Sequence, residues 1–322
     1  MSARSPYFTS LVTVALLAVL LGAGGFAYPG FLSQQVLFNL LIDNAFLLVI
    51  AVGMSFVIIS GGIDLSVGSV LALTTMISAW LLQTWHWPPL AVIVVALALG
   101  AGFGAAMGAL IHYFKLQPFI VTLAGMFLAR GLCYLISINS ITIEDPMFVA
   151  VSQAQLPLFG GFISPGALIA LITLAVAVYV AHCTPFGRAI YAVGGNEQSA
   201  LMMGLRVGRT KVLIYAFSGF CAALGGVLFS FYMLSGYGLH AQGTELDAIA
   251  AVVIGGTLLS GGYGYVAGAL SGVLVLGAIQ TLIAFDGTLS SWWTKIVIGG
   301  LLFVFCVVQR LMAIGAAKKA AI

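Results

Sequence analysis

The sequence predicts an all-α integral membrane protein of about ten transmembrane helices, with both termini in the cytoplasm. Three observations predict it. Of 322 residues, 62% are hydrophobic and 6% are charged, against about 25% charged in soluble domains. That much apolar surface requires lipid as its solvent. The apolar residues also fall into ten runs, most of them near the roughly 20 residues a helix needs to cross a bilayer core. Finally, the basic residues between the runs sort to one side.

In order, the runs cover residues 8–28, 36–60, 65–83, 89–111, 118–138, 164–182, 211–234, 245–260, 264–285 and 291–309. The first follows Arg4 and resembles a secretory signal. It exceeds the roughly 7–15 residues of a signal core, and "GGFAYPG" is a poor small-x-small cleavage site, so a retained helix is expected. Glycines blur the ends of the third, eighth and ninth runs. With the N-terminus inside, Arg4, Lys115, Arg188, Arg206, Arg209, Lys211, Arg310, Lys318 and Lys319 all become cytoplasmic, as the positive-inside rule requires. Glu144, Asp145 and Asp286 fall on the opposite face. The chain reads as one transmembrane domain, 1–322, with a long outer loop at 139–163 and a long inner loop at 183–210.

Several chemistries are excluded. Cys133, Cys183, Cys221 and Cys306 are far apart and form no CxxC. They are expected to be small buried hydrophobes. The four histidines are scattered and no HExxH occurs, so no metal site and no cofactor are expected. No GxxxxGK[ST] is present, so the chain is not its own P-loop ATPase. Two GxGxxA matches, at 100–105 and 262–267, do not follow a strand into a soluble helix, so the dinucleotide reading fails. Gly100, Gly104 and Gly108 recur every four residues, as do Gly264, Gly268 and Gly272. Each set is expected to make a smooth face for close helix approach.

Ionisable groups within apolar runs are costly and face a cavity or one another. Asp43, Asp64, Arg130, Asp247 and Glu245 lie in or near such runs, and Arg130 is expected to neutralise one of the acids. In "IISGGIDLSVGSVLAL" (58–73), Asp64 has two open roles. It can cap the helix that opens "LSVGSVLAL", with Gly61 and Gly62 making the turn, or it can line an aqueous path. The stretch "AVGMSFVIISGGIDLSVG" (51–68) has an echo in "AVVIGGTLLSGGYGYVAG" (251–268), the kind of internal repeat that transporters carry. "FDGTLSSWWTKI" (285–296) reads as an interfacial aromatic belt or as a sugar-contacting rim. In the inner loop, Asn196 is placed to cap a short helix over 197–204 that could dock on a soluble partner.

Four stretches in order, "SGGIDLSVGSV", "TLAGMFLARG", "FGRAIYAVGGNEQSALMMG" and "LDAIAAVVIGGTLLSGG", resemble the membrane permeases of sugar-importing ABC transporters, the ribose/xylose/galactofuranose group. The resemblance runs from about residue 36 to 310. With "IDNAFLLVIAVGMSFVI" (42–58), "GGTLLSGG" and "FDGTLSSWWTKI", it is nearest to the second permease of the galactofuranose branch. It implies a multi-pass protein of the bacterial inner membrane that is not itself an enzyme. It implies three partners: a periplasmic sugar-binding protein, a second permease subunit in a heterodimer, and a cytoplasmic ABC ATPase that binds the ATP. In that scheme the 183–210 loop couples to the ATPase through Phe186, Gly187, Arg188, Gly194, Gly195, Asn196 and Glu197.

A sugar is neutral, so its path calls for hydroxyl-pairing groups and aromatic faces. The candidates are Asn39, Asn44, Asp64, Ser66, Gln280, Ser291, Trp292 and Trp293. Ribose or xylose are alternative substrates. Two rival classes remain to be weighed. One is a proton-coupled carrier using Asp43, Asp64 and Arg130 as a relay. The other is an intramembrane enzyme, for which no HExxH, Ser–Lys or paired-Asp arrangement is found.

Overall fold

The computed structural model describes residues 8–290 and 292–320. Its helices are α1 (Phe8–Ala27), α2 (Gln34–Asp43), α3 (Ala45–Ile59), α4 (Val67–Gln83), α5 (Pro89–Tyr113), α6 (Pro118–Ile136), α7 (Pro146–Gln153), α8 (Pro165–Cys183), α9 (Pro185–Gly195), α10 (Glu197–Met202), α11 (Val207–Met233), α12 (Thr244–Ile254), α13 (Gly268–Asp286) and α14 (Trp292–Ala320). Four short strands, β1 (Ile141–Thr142), β2 (Leu156–Leu158), β3 (Gly161–Ile163) and β4 (Ser235–Gly236), form two antiparallel pairs, β1–β4 and β2–β3.

Five helices, α5, α6, α8, α11 and α13, are long and apolar enough to cross a membrane alone, and α2 with α3 makes a sixth crossing bent by 54°. Apolar helical stretches at Leu11–Ala27 within α1, Val67–Gln83 (α4) and Trp292–Val307 within α14, with the brief α12, account for the remaining expected runs. One end of the bundle carries Lys115, Arg188, Arg206 and Arg209 and is called the basic end below. The other carries Glu144, Asp145 and Asp286.

Two of the expected runs needed revision. The second run is not one helix but breaks at Asn44. There the side-chain amide donates to the Leu40 carbonyl at 3.0 Å, which satisfies an oxygen that the bend leaves free. The eighth run is helical only over Thr244–Ile254, about 16 Å at 1.5 Å per residue, or half a bilayer core. Gly255 and Gly256 stop it. The outer loop holds α7, capped by Asp145 Oδ1 accepting from the Met147 and Phe148 N–H groups, and the β2–β3 hairpin. Of the cysteines, Cys133 and Cys221 are buried as expected, while Cys183 is exposed at the end of α8.

The core is built around α3 and α11. Every residue of α3 except Phe46 is buried, as befits a helix apolar all round. Lipid is as apolar as leucine, so helices in a membrane associate through close packing rather than hydrophobic exclusion. Both glycine series supply that packing. Gly100, Gly104 and Gly108 lie against α11, where a Cβ at Gly104 would overlap the Tyr215 carbonyl. Gly268 and Gly272 lie against Gly255 and Ala251 near the end of α12. Gly264 falls in the turn before α13 instead.

After α11 the chain turns back into the bundle. Leu234 takes the left-handed conformation, β4 pairs with β1, and residues 237–243 descend until Ala241 and Glu245 abut Gly68 near the start of α4. Non-helical backbone at membrane depth needs its carbonyls satisfied by protein. Arg130 does this: its Nη1 donates to the carbonyls of Gly238 (2.6 Å) and His240 (2.8 Å). Its hydrogen bonds thus go to backbone oxygens rather than to an acid, while its charge also acts on the nearby Glu245 carboxylate.

The α5–α11 seam gives a test. Gly104→Val should lower the melting temperature of detergent-purified protein by several degrees, since overpacking costs about 1–3 kcal/mol. Gly102→Ala, where a Cβ meets nothing within 4 Å, should leave it unchanged.

Candidate functional site

At the basic end, α3 stops at Ile59 and the chain reverses through Ser60, Gly61 and Gly62. Gly61 has φ +82°, a conformation only glycine adopts without strain. The echo segment reverses through Gly261 and Gly262, at φ +78° and +75°. The two turns touch. The Gly262 N–H donates to the Ile59 carbonyl at 2.8 Å, and a Cβ on Gly261 would lie 2.7 Å from the Gly61 Cα. A third glycine pair closes the contact from α9. A Cβ on Gly194 would strike the same Ile59 carbonyl, and one on Gly262 would lie 2.7 Å from the Gly195 Cα. The Tyr191 hydroxyl adds a hydrogen bond to the Gly264 carbonyl at 2.8 Å. One helix of the 183–210 segment is thus seated on both breaks.

Local sequence explains the seat. Pro185 opens α9, and Thr184 Oγ1 accepts from the Gly187 N–H at 3.2 Å. Gly187, Ile190 and Val193 recur at helical spacing and face the bundle. Phe186 packs against the core and Arg188 is exposed. Asn196 caps α10 through Oδ1 and the Ser199 N–H at 2.8 Å, and α10 ends at Met202, slightly short of the expected 204. Glu197 pairs with Lys211 of α11 at 2.6 Å, half-exposed. Such a pair contributes about 0–1 kcal/mol. Beyond it, Leu201, Met202 and Met203 are 63%, 87% and 68% exposed, an apolar tip facing away from the bundle. Residue spacing alone did not single out Tyr191 or this tip, although the amphipathic pattern of α9 was available.

Asp64 is fully buried. Its Oδ1 accepts from the Ser66 N–H (2.9 Å) and Ser66 hydroxyl (2.6 Å), and its Oδ2 from the Ser218 hydroxyl of α11 (2.7 Å). Ser66, not Asp64, is the N-cap of α4. The carboxylate sits two residues earlier and ties the break to α11, about 16 Å along that helix from its basic end. No local signal in the sequence points to Ser218, which lies 154 residues away.

The other selected residues are dispersed. Asn44 is buried at the α2–α3 bend, and Asn39 accepts from Gln35 Nε2 at 2.9 Å on α2. Gln280 is exposed on α13, and Trp292 and Trp293 are exposed at the start of α14. Ser291 lies outside the described residues. Asp43 Oδ1 accepts from the Tyr232 hydroxyl at 3.2 Å, and Asp247 pairs with Lys295 at 2.6 Å. Asp43, Asp64 and Arg130 hydrogen-bond to separate partners and not to one another. Among the described residues no cluster of histidine, cysteine or acid could hold a metal.

An apolar helical bundle with two glycine-broken helices and an external helix seated on the breaks is built as a multi-pass membrane protein. The chain belongs to the family described as branched-chain amino acid transport system/permease component, which matches residues 36–306. It is 51% identical over 285 residues to the inner membrane ABC transporter permease protein YjfF of Escherichia coli K12, covering 88% of this chain and 86% of that one. It is 40% identical to the fructose import permease protein FruG of Bifidobacterium longum (96% and 92% covered) and 36% identical to the ribose import permease protein RbsC of Bacillus subtilis (96% and 93%). No solved structure matches the chain. The protein is a multi-pass inner-membrane permease component, not an enzyme.

Asp64 supplies the test. Asp64→Asn keeps an oxygen for the Ser66 turn, and the Ser218 hydroxyl can rotate to accept from the new amide. It should stay folded and retain more than half of wild-type transport. Asp64→Leu leaves three buried donors unpaired at about 1–3 kcal/mol each and should melt well below it. A folded Asp64→Asn protein with no transport would contradict the bracing role.

Proposed function

We propose that this chain is one of two membrane subunits of a binding-protein-dependent ABC importer that moves a monosaccharide into the cytoplasm. Galactofuranose is the preferred substrate, because "IDNAFLLVIAVGMSFVI", "GGTLLSGG" and "FDGTLSSWWTKI" resemble that branch. The fructose and ribose permeases among its relatives support a sugar more generally. The basic end faces the cytoplasm, and residues 1–322 act as one permease domain.

The observation that carries the proposal is the external apolar tip joined to both helix breaks. A separate cytoplasmic ATPase binds and hydrolyses the ATP. Leu201, Met202 and Met203 insert into a groove on it, where methionine adapts well to a partner surface. When the ATPase closes, α10 and α9 move, and the contacts of Gly194 and Tyr191 carry that motion to the end of α3 and the start of α13. A periplasmic binding protein delivers sugar to the opposite face. A second, non-identical permease completes the path, toward which Gln280, Asn39, Trp292 and Trp293 offer hydroxyl-pairing and ring-stacking groups. Binding along the path is weak enough to permit release.

In cells, uptake of labelled sugar should survive an uncoupler and stop when the partner ATPase is deleted. The reverse pattern would establish a proton-coupled carrier instead. Met202→Asp should reduce uptake at least about tenfold, as loss of one buried interface anchor does, while membrane insertion stays normal. Competition among galactofuranose, ribose, xylose and fructose identifies the substrate.

A further inference from the structure

Near the acidic end, a second group of side chains comes together outside the coupling junction. Asp43 is exposed at the bend between α2 and α3, with one oxygen on the Tyr232 hydroxyl. Tyr232 is itself half-exposed. One turn deeper, Phe46 meets Phe229 edge-on at 4.9 Å, and Phe229 meets His240 edge-on at 5.0 Å. Tyr237 packs on the same imidazole at 5.7 Å. Arg130 holds this connection in place through the carbonyls of Gly238 and His240. His240 Nδ1 is buried and has no hydrogen-bond partner among the described residues.

An exposed carboxylate in a membrane-embedded chain is too costly to face lipid and faces a water-filled path instead. Here it is bordered by a phenol and a row of aromatic rings. A carboxylate accepts hydrogen bonds from vicinal hydroxyls, a phenol both donates and accepts, and aromatic faces pack on the C–H face of a sugar ring. We propose that Asp43, Tyr232 and the Phe46–Phe229–His240 row form a transient contact site for the sugar in its path, with Arg130 as the positioning residue. This rests on the sugar-importer reading above. The "FSFYMLSGYGLH" stretch (229–240) carries most of the aromatic part, and of the earlier path candidates Asn44 is the neighbour of Asp43 at the bend.

The test uses the complete importer, with its ATPase, second permease and binding protein, in proteoliposomes. Initial uptake is measured with labelled galactofuranose, ribose, xylose and fructose. Asp43→Asn should lower uptake of the transported sugar at least about tenfold, the loss expected for one hydrogen bond to a charged acceptor, and Phe229→Leu should lower it severalfold through loss of the ring face. ATP hydrolysis stimulated by the loaded binding protein should stay within about twofold of wild type, because the junction is untouched. Tyr232→Phe, which keeps the ring and removes only the hydroxyl, should change the ratio of uptake between sugars. Uptake within twofold of wild type in all three variants would overturn the site. Uptake and ATP hydrolysis falling together would also overturn it, since the defect would then be structural. A wild-type importer that takes up none of the four sugars would overturn the importer reading itself and the site with it.

Discussion

The structure depends on one contact made backbone to backbone. Gly61–Gly62, Gly194–Gly195 and Gly261–Gly262 meet at the carbonyl of Ile59, which accepts the Gly262 N–H. No side chain intervenes, so the contact has little slack. A Cβ at Gly194, Gly261 or Gly262 would strike the backbone of a facing segment, and Gly61, Gly261 and Gly262 hold positive φ. This joint decides where α3 ends, where α4 and α13 begin, and how the external α9 lies on the bundle. Close packing is the main source of specificity available between helices in lipid, and the α5–α11 and α12–α13 seams extend the same solution upward from the joint.

A second constraint follows from breaking helices inside a membrane. Each break exposes backbone groups that lipid cannot satisfy. The protein answers each one locally. Asn44 returns an amide to Leu40 at the α2–α3 bend. Arg130 covers two carbonyls of the descending connection. Asp64 gathers the Ser66 N–H and hydroxyl and reaches Ser218. These polar residues look like functional groups in an apolar sequence, yet their first task is to make irregular backbone tolerable. A carboxylate braced by three donors is also fixed in place, so the break can act as a rigid corner when the helices on either side shift.

Much of this was legible in the sequence. The apolar runs placed most of the helices to within a few residues, because their length reflects bilayer thickness, although the eighth helix stops at Ile254 and the last extends to Ala320. The four-residue glycine spacing marked both seams. The echo between 51–68 and 251–268 marked the two breaks, and Asn196 its cap. What stayed hidden depends on distance along the chain. Nothing near Asp64 announces Ser218, and nothing near Arg130 announces Gly238. The charge of Arg130 suggested an acid as partner, but carbonyls of a re-entrant connection serve as well and carry no sequence signature. Asn44 read as a path residue because a buried amide and an exposed one look alike in sequence.

The central claim is that α10, α9 and the two glycine turns move as one body during transport. Distances between spin labels test it most directly. Labels at Gln198→Cys on α10 and Leu259→Cys on the second turn, both exposed positions, would be placed in a chain whose exposed Cys183 has been replaced. The assembled importer would be compared without nucleotide and with ATP trapped. The account predicts one unchanged distance distribution in both states, while a Gln198 label paired with one on the acidic end shifts. A change in the 198–259 distance on ATP binding would contradict it.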